Sequence, residues 1–164
     1  MVDSERTREP TEQLVVIAKP EAVHIGLGLK IIRELEGLGL TVLDHQPYDF
    51  FGQPGKAELL YAELAGEPYF REPVLAIQRG PVHVFLVEGP DAVRVVRDWL
   101  GPTSIPKALE GDTFRGRMLR KHGVTEAEDG FLGRAVNYAH ASSDPEAGKR
   151  EAELLFPGHR HRHS

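Results

Sequence analysis

Short β-branched runs alternate with apolar stripes of helical spacing along this chain, which restricts it to folds that pack helices on a sheet. Leu14 to Ala18 is a mostly β-branched run and predicts a buried strand. Leu27, Ile31, Ile32, Leu35 and Leu38 then recur at helical spacing, with Gly37 and Gly39 placed to stop the helix. Leu40 to Leu43 predicts a second strand, and Lys56–Leu64 and Pro73–Gln78 two shorter helices. Val82 to Val87 is the clearest strand, bounded by Gly80-Pro81 and Gly89-Pro90. Ala92, Val93, Val96, Trp99 and Leu100 make a further helical stripe, and Val136 to Ala139 predicts a fourth strand. The last helix has its own start signal: Ser143 with Glu146 three residues on forms a capping box, with Pro145 in the first turn.

The resulting order is strand, helix, strand, helices, strand, helix, strand, helix. It predicts an α/β protein of ferredoxin-like plan, a four-stranded antiparallel sheet with helices packed on one face. At 164 residues the chain suits one domain. We expect that domain over residues 13–156, between a loose polar arm at 1–12 and a polar tail at 157–164.

With a formal net charge of −5, the overall field repels polyanions, which argues against a general nucleic-acid binder. An anionic ligand must then be small and held by locally placed cations. The absence of cysteine rules out disulfides, thiolate chemistry and cysteine-based zinc sites. No apolar run approaches the roughly 20 residues that cross a bilayer, and no secretory signal is evident. These features predict a cytoplasmic protein without membrane contact.

Neither a Walker-type nor a kinase-type glycine loop occurs, so any phosphate handling must rest on side chains. Lys19 precedes Pro20 at the end of the first strand, Arg97 lies late in a helix and Arg115 precedes Gly116. Each alone reads as a solvated surface charge. His140, in NYAHAS, alone reads as a structural histidine at a strand end. Glu151 borders the apolar stripe of Ala147, Ala152 and Leu155, and is either a snorkelling carboxylate or the partner of an imidazole. His159, His161 and His163 alternate with arginines in the tail, where nothing orients their rings for a metal.

In combination these residues resemble the nucleoside diphosphate kinase family from about residue 13 to residue 156. Four ordered blocks carry the likeness: VVIAKPEAV; Tyr61 followed by EPYF and RGPV; VEGPDAVRVVRDWLGPT; and NYAHAS followed by DPEAGKREAELLF. The resemblance implies phosphoryl transfer from a nucleoside triphosphate to a nucleoside diphosphate through a phosphohistidine at His140. It implies that Glu151 fixes the imidazole and that Ser142 lies beside it. By the same likeness Lys19, Tyr61, Arg97, Thr103, Arg115 and Asn137 grip phosphates and ribose, and Tyr69 stacks on the base. It further implies Mg2+ held mainly by the nucleotide phosphates, and a homo-oligomer, with a hexamer favoured.

The chain also departs from the family pattern. Glu21 stands where the family has Asp, a change that reads as minor. FRGRM replaces Ile-Arg-Gly-Asp-Phe, so Arg117 either makes the pocket mouth more basic or reroutes the loop. About a dozen extra residues between Arg115 and Asn137, and HAS in place of HGS, are similar to an archaeal-type branch, and the 116–135 stretch could bear on specificity. Two alternatives follow: a kinase of the same chemistry for an unusual nucleotide, or a catalytically weak nucleotide-binding or regulatory module.

Overall fold

The computed structural model describes residues 10–124 and 137–159. Its elements, in chain order, are β1 (Thr11–Ala18), α1 (Pro20–His24), α2 (Gly28–Gly37), β2 (Thr41–Tyr48), α3 (Lys56–Leu60), a 3-10 turn (Ala62–Leu64), α4 (Arg71–Ile77), β3 (Val82–Pro90), α5 (Ala92–Leu100), α6 (Ile105–Glu110), α7 (Phe114–Lys121), β4 (Ala139–Ala141) and α8 (Pro145–Leu155). The strands form one antiparallel sheet in the order β2-β3-β1-β4. This is the expected ferredoxin-like arrangement.

The helices, however, cover both faces of the sheet and not one. Leu14, Val16, Ala18, Phe85 and Val87 pack beneath α2, α5 and α7, against Ile31, Leu35, Val96, Trp99 and Phe114. Val15, Ile17, Val84 and Leu86 pack on the opposite side with Leu60, Tyr61, Val74, Ile77 and Leu155 of α3, α4 and α8. The two central strands, β1 and β3, are near-continuous apolar runs. Such a run marks a strand covered on both faces, whereas a half-solvated strand alternates.

Three local expectations also shift. β1 and β2 extend beyond their apolar cores, to Thr11 and Tyr48, because ladder hydrogen bonds continue where side chains turn polar. The fourth strand covers Ala139–Ala141 and not Val136–Ala139; Val136 itself lies outside the described residues. The last helix is capped by Asp144, whose carboxylate accepts from the Ala147 amide at 2.8 Å, while the Ser143 hydroxyl donates to Glu63. Asp144 directly precedes Pro145 and so occupies the cap position, which leaves Ser143 one residue too early.

α2 ends at Gly37, and Gly39 takes the left-handed φ of +89° that suits a helix stop. Short helices α1, α6 and α7 carry too few apolar repeats to be read from periodicity. Part of the 116–135 stretch, Gly116–Lys121, continues α7, and residues 125–136 lie outside the described ones, as do the 1–9 arm and the tail from 160.

Candidate active site

β4 places His140 opposite Ile17 of β1, so its side chain faces the layer of α3 and α8. The histidine is therefore the central residue of an edge strand and not the residue after one. Within that layer its Nε2 lies 2.8 Å from Oε1 of Glu151 on α8. Glu151 is fully buried, and the same Oε1 accepts the Ser142 hydroxyl at 2.7 Å. Ser142 is in turn fixed by the Val15 amide, which donates to its oxygen at 3.0 Å. A carboxylate oxygen accepts, so Nε2 is the ring nitrogen that donates to Glu151, and Nδ1 is the one left for other chemistry. No hydrogen-bond partner of Nδ1 occurs among the described residues.

Tyr61, at the end of α3, meets the imidazole edge-on, with ring centroids 5.4 Å apart. Its hydroxyl is buried and has no hydrogen-bond partner among the described residues. Burial, reinforced by Glu151 and Glu21 and opposed by Arg115, pushes the phenol well above its usual range, so it remains a donor. Lys19, at the β1–α1 junction, is 7% exposed. Burial brings its ammonium down to about 8, with Arg115 and Arg79 adding to that effect and Glu21 opposing it.

Arg115 enters from the first turn of α7 and is almost wholly buried. Its guanidinium donates to the carbonyls of Gly101, Asn137 and Ala139 and to the side-chain oxygen of Asn137. Those four bonds leave one of the five N–H donors of an arginine for a ligand. Burial first, then Arg97, brings this group down to about 10. Arg97, exposed on α5, donates to the Ala141 carbonyl at 3.3 Å and so reaches the strand that bears His140.

His140, Glu151, Ser142 and Tyr61 are thus in direct contact; Arg115 and Asn137 form a second cluster at the entry to β4; Lys19 and Arg97 couple to these electrostatically or through backbone. Tyr69, half exposed between α3 and α4, and Thr103, exposed between α5 and α6, are not joined to either cluster by a hydrogen bond or ring contact among the described residues.

Two readings of departures from the family pattern need revision. Arg117 does not make the site more basic. It sits two residues beyond Arg115 on α7, hence on the opposite side of the helix, and forms a two-bond pair with Glu34 of α2 at 2.7 and 3.0 Å. Trp99 donates to the same carboxylate, and Arg117 and Trp99 both contact the Phe114 ring. Glu21, read as a minor change, is buried and accepts from the amides of both Asn137 and Tyr138. A glutamate directly after Lys-Pro at a strand end, in an otherwise apolar stretch, was the signal available for it. Glu63 and Arg150 were also missed; their 2.6 Å ion pair ties the turn after Tyr61 to α8.

The family model described as nucleoside diphosphate kinase matches residues 12–161. A nucleoside diphosphate kinase of Frankia casuarinae is 34% identical over 147 residues, covering 90% of this chain and 96% of that protein. One of Pyrococcus abyssi is 37% identical over 145 residues, covering 88% and 84%. Among solved structures, the nucleoside diphosphate kinase of Aquifex aeolicus superimposes with a TM-score of 0.74 at 28% identity, over 91% of this chain and 97% of that one. The enzyme from Encephalitozoon cuniculi, at 24% identity and a TM-score of 0.72, shares the fold.

Proposed function

The chain belongs to the nucleoside diphosphate kinase family, and from that premise we propose how its residues move a phosphoryl group. The reaction is transfer of the γ-phosphate of a nucleoside triphosphate to a nucleoside diphosphate. In our reading it runs in two steps on His140. Nδ1 attacks the γ-phosphorus, a N–P bond forms, and the bond to the β,γ-bridging oxygen breaks as the diphosphate leaves. A terminal oxygen of the acceptor diphosphate then attacks the same phosphorus, and the N–P bond breaks.

One observation carries this reading: Glu151 holds Nε2 at 2.8 Å and leaves Nδ1 without a partner among the described residues, while the Tyr61 ring, whose hydroxyl is also unpartnered among them, packs edge-on against the imidazole. Glu151 keeps the ring aimed and accompanies the positive charge that develops when Nδ1 is phosphorylated. Ser142 keeps Glu151 aimed. Phosphoryl transfer leaves the protein mainly positioning and charge neutralisation. Lys19, Tyr61 and Arg97, with the remaining donor of Arg115, serve that role at the phosphates. Thr103 and Asn137 complete the grip on phosphate and ribose, and Tyr69 stacks on the base, which requires approach of the α3–α4 segment to the nucleotide.

The two buried carboxylates of this region, Glu21 and Glu151, are engaged by protein donors through Glu21 Oε2 and Glu151 Oε1. That favours a divalent cation, which we take to be Mg2+, carried in on the phosphate oxygens, where it neutralises charge. We further propose that residues 13–156 form the catalytic unit between the arm and the tail, and that the protein works in the cytoplasm. No helix among the described residues is long and apolar enough to cross a membrane. A homo-oligomer, with a hexamer favoured, fits the open edge of β2, whose outer side has no strand partner among the described residues.

The test is incubation with γ-labelled ATP and magnesium, comparing wild type with His140→Ala. Acid-labile label on wild type alone, chased by added GDP, is expected. Label retained by His140→Ala, or none on wild type, overturns the assignment.

A further inference from the structure

Residues 137–139 form a tight reverse turn immediately before His140. The Ala139 amide donates to the Asn137 carbonyl at 2.8 Å, across Tyr138. Tyr138 has φ of +69°, and a hydrogen bond spanning one residue at positive φ is the strained form of γ-turn. A residue bearing a Cβ stays in such a conformation only where its surroundings over-determine it.

The surroundings here are specific. One oxygen of Glu21, Oε2, accepts from the Asn137 amide at 2.9 Å and from the Tyr138 amide at 3.0 Å. The Lys19 amide donates to the Tyr138 carbonyl at 2.9 Å. From the other side Arg115 holds the Asn137 carbonyl and side chain and the Ala139 carbonyl. Glu21 is only 5% exposed, so its carboxylate is removed from water in order to make these bonds. The next residue, His140, pairs with Ile17 of β1.

We infer that Glu21 is a positioning residue for phosphoryl transfer: by clasping the Asn137 and Tyr138 amides it holds the strained turn that aims Asn137 and sets the register of His140. It touches no reacting atom and acts through the backbone. This rests on the phosphohistidine reading above, but part of its test does not. If Glu21 is lost, two buried amides lose their acceptor and the turn relaxes toward negative φ. His140 remains present and able to react, but is correctly aimed for a smaller fraction of the time. The titratable groups that feel the charge of Glu21, namely Lys19, Tyr61, Arg115 and Tyr138, require the test to separate charge from clasp.

The experiment measures single-turnover formation of acid-labile phosphoenzyme at saturating ATP and magnesium in wild type, Glu21→Ala, Glu21→Gln and Glu21→Ala/Tyr138→Gly. Glu21→Ala is expected to form phosphoenzyme about tenfold to hundredfold more slowly while reaching the same final labelling, as release of a strained turn implies. Glu21→Gln keeps an oxygen able to accept both amides, and is expected to stay within about fivefold of wild type. Adding Tyr138→Gly to Glu21→Ala is expected to recover much of the loss, because glycine adopts positive φ freely. A wild-type rate in Glu21→Ala overturns the proposal. So does an equal loss in the Gln and Ala variants with no rescue by Tyr138→Gly, which would assign the effect to charge on Lys19. Amide hydrogen exchange at Asn137 and Tyr138 is read alongside, and needs no activity. Slow exchange in wild type and in Glu21→Gln, with faster exchange in Glu21→Ala, is expected, and unprotected amides in wild type overturn the clasp. Were wild type to take no label at all while these amides stayed protected, the failure would lie with the phosphohistidine reading, and the clasp would lose its catalytic role.

Discussion

Lys19→Met is expected to stabilise the ligand-free protein while disabling it. Lys19 is buried, and its ammonium falls from 10.5 to about 8, first through burial and then through Arg115 and Arg79, against the opposing pull of Glu21. The folded state thus disfavours the charged form by an amount that converts to about 3 kcal/mol at 1.36 kcal/mol per pH decade, an upper figure that local relaxation and water entry reduce. Between pH about 8 and 10.5 the unfolded chain binds more protons at this residue than the folded one, so its contribution to stability rises with pH across that window. Below pH 8 the full penalty is present. Methionine has similar length and no charge. Urea unfolding followed by far-UV circular dichroism should show Lys19→Met more stable than wild type by about 1–3 kcal/mol at pH 7, with the gap narrowing as pH approaches 10.5. An anionic phosphate restores the reason for the charge, so nucleotide binding near pH 8 should take up protons, seen as a buffer-dependent heat in calorimetry. A Lys19→Met variant no more stable than wild type at pH 7, or a gap that does not change with pH, would refute the reasoning.

Tyr61→Phe removes a buried hydroxyl that lacks a partner, so unfolding in urea should show unchanged stability or a gain of about 1 kcal/mol, while phosphoenzyme formation slows by about tenfold or more. Gly148→Ala should lower stability by about 2 kcal/mol, because a Cβ there runs into the Gln13 carbonyl where α8 lies against β1; a lower urea midpoint checks it. Glu34 is held at about 2, first by its hydrogen bonds from Arg117. Its contribution is present above its ordinary value of 4.5 and lost as pH falls toward 2; solvent screening reduces it to about 1 kcal/mol, and acid unfolding of Glu34→Gln should lack that loss.

The sequence carried the sheet because β1 and β3 are written in β-branched residues and bounded by glycine and proline. Their covering on both sides was legible too, since Leu14 to Ala18 leaves no polar alternation, but the run was read for its existence and not for its period. β4 was misplaced because Asn137 to Ala141 has no β-branched residue after Val136; pairing with β1 makes it a strand, and pairing is non-local. Ser143 and Asp144 both suit a helix cap, and only the chain's path into Pro145 chooses between them. The polar groups around His140 were legible one position at a time, through likeness to a family. Their linkage was not: the two bonds from Glu151 Oε1, the pairing of Arg117 with Glu34 across 83 residues and the reach of Glu21 to Tyr138 across 117 depend on how the elements close in space.

The His140 ring is mounted on the shortest strand of the sheet. β4 has three residues and, among the described residues, pairs on one side only, whereas β1 and β3 share eight registered pairs in the middle. Detaching β4 needs only a sub-global fluctuation, well short of the free energy that holds the central strand pair together. Heat inactivation can therefore run ahead of the loss of far-UV signal, with an apparent melting point for turnover below that of the backbone. A bound nucleotide, touching both His140 and Lys19, would staple the loose edge to the strand beside it and bring the two temperatures together.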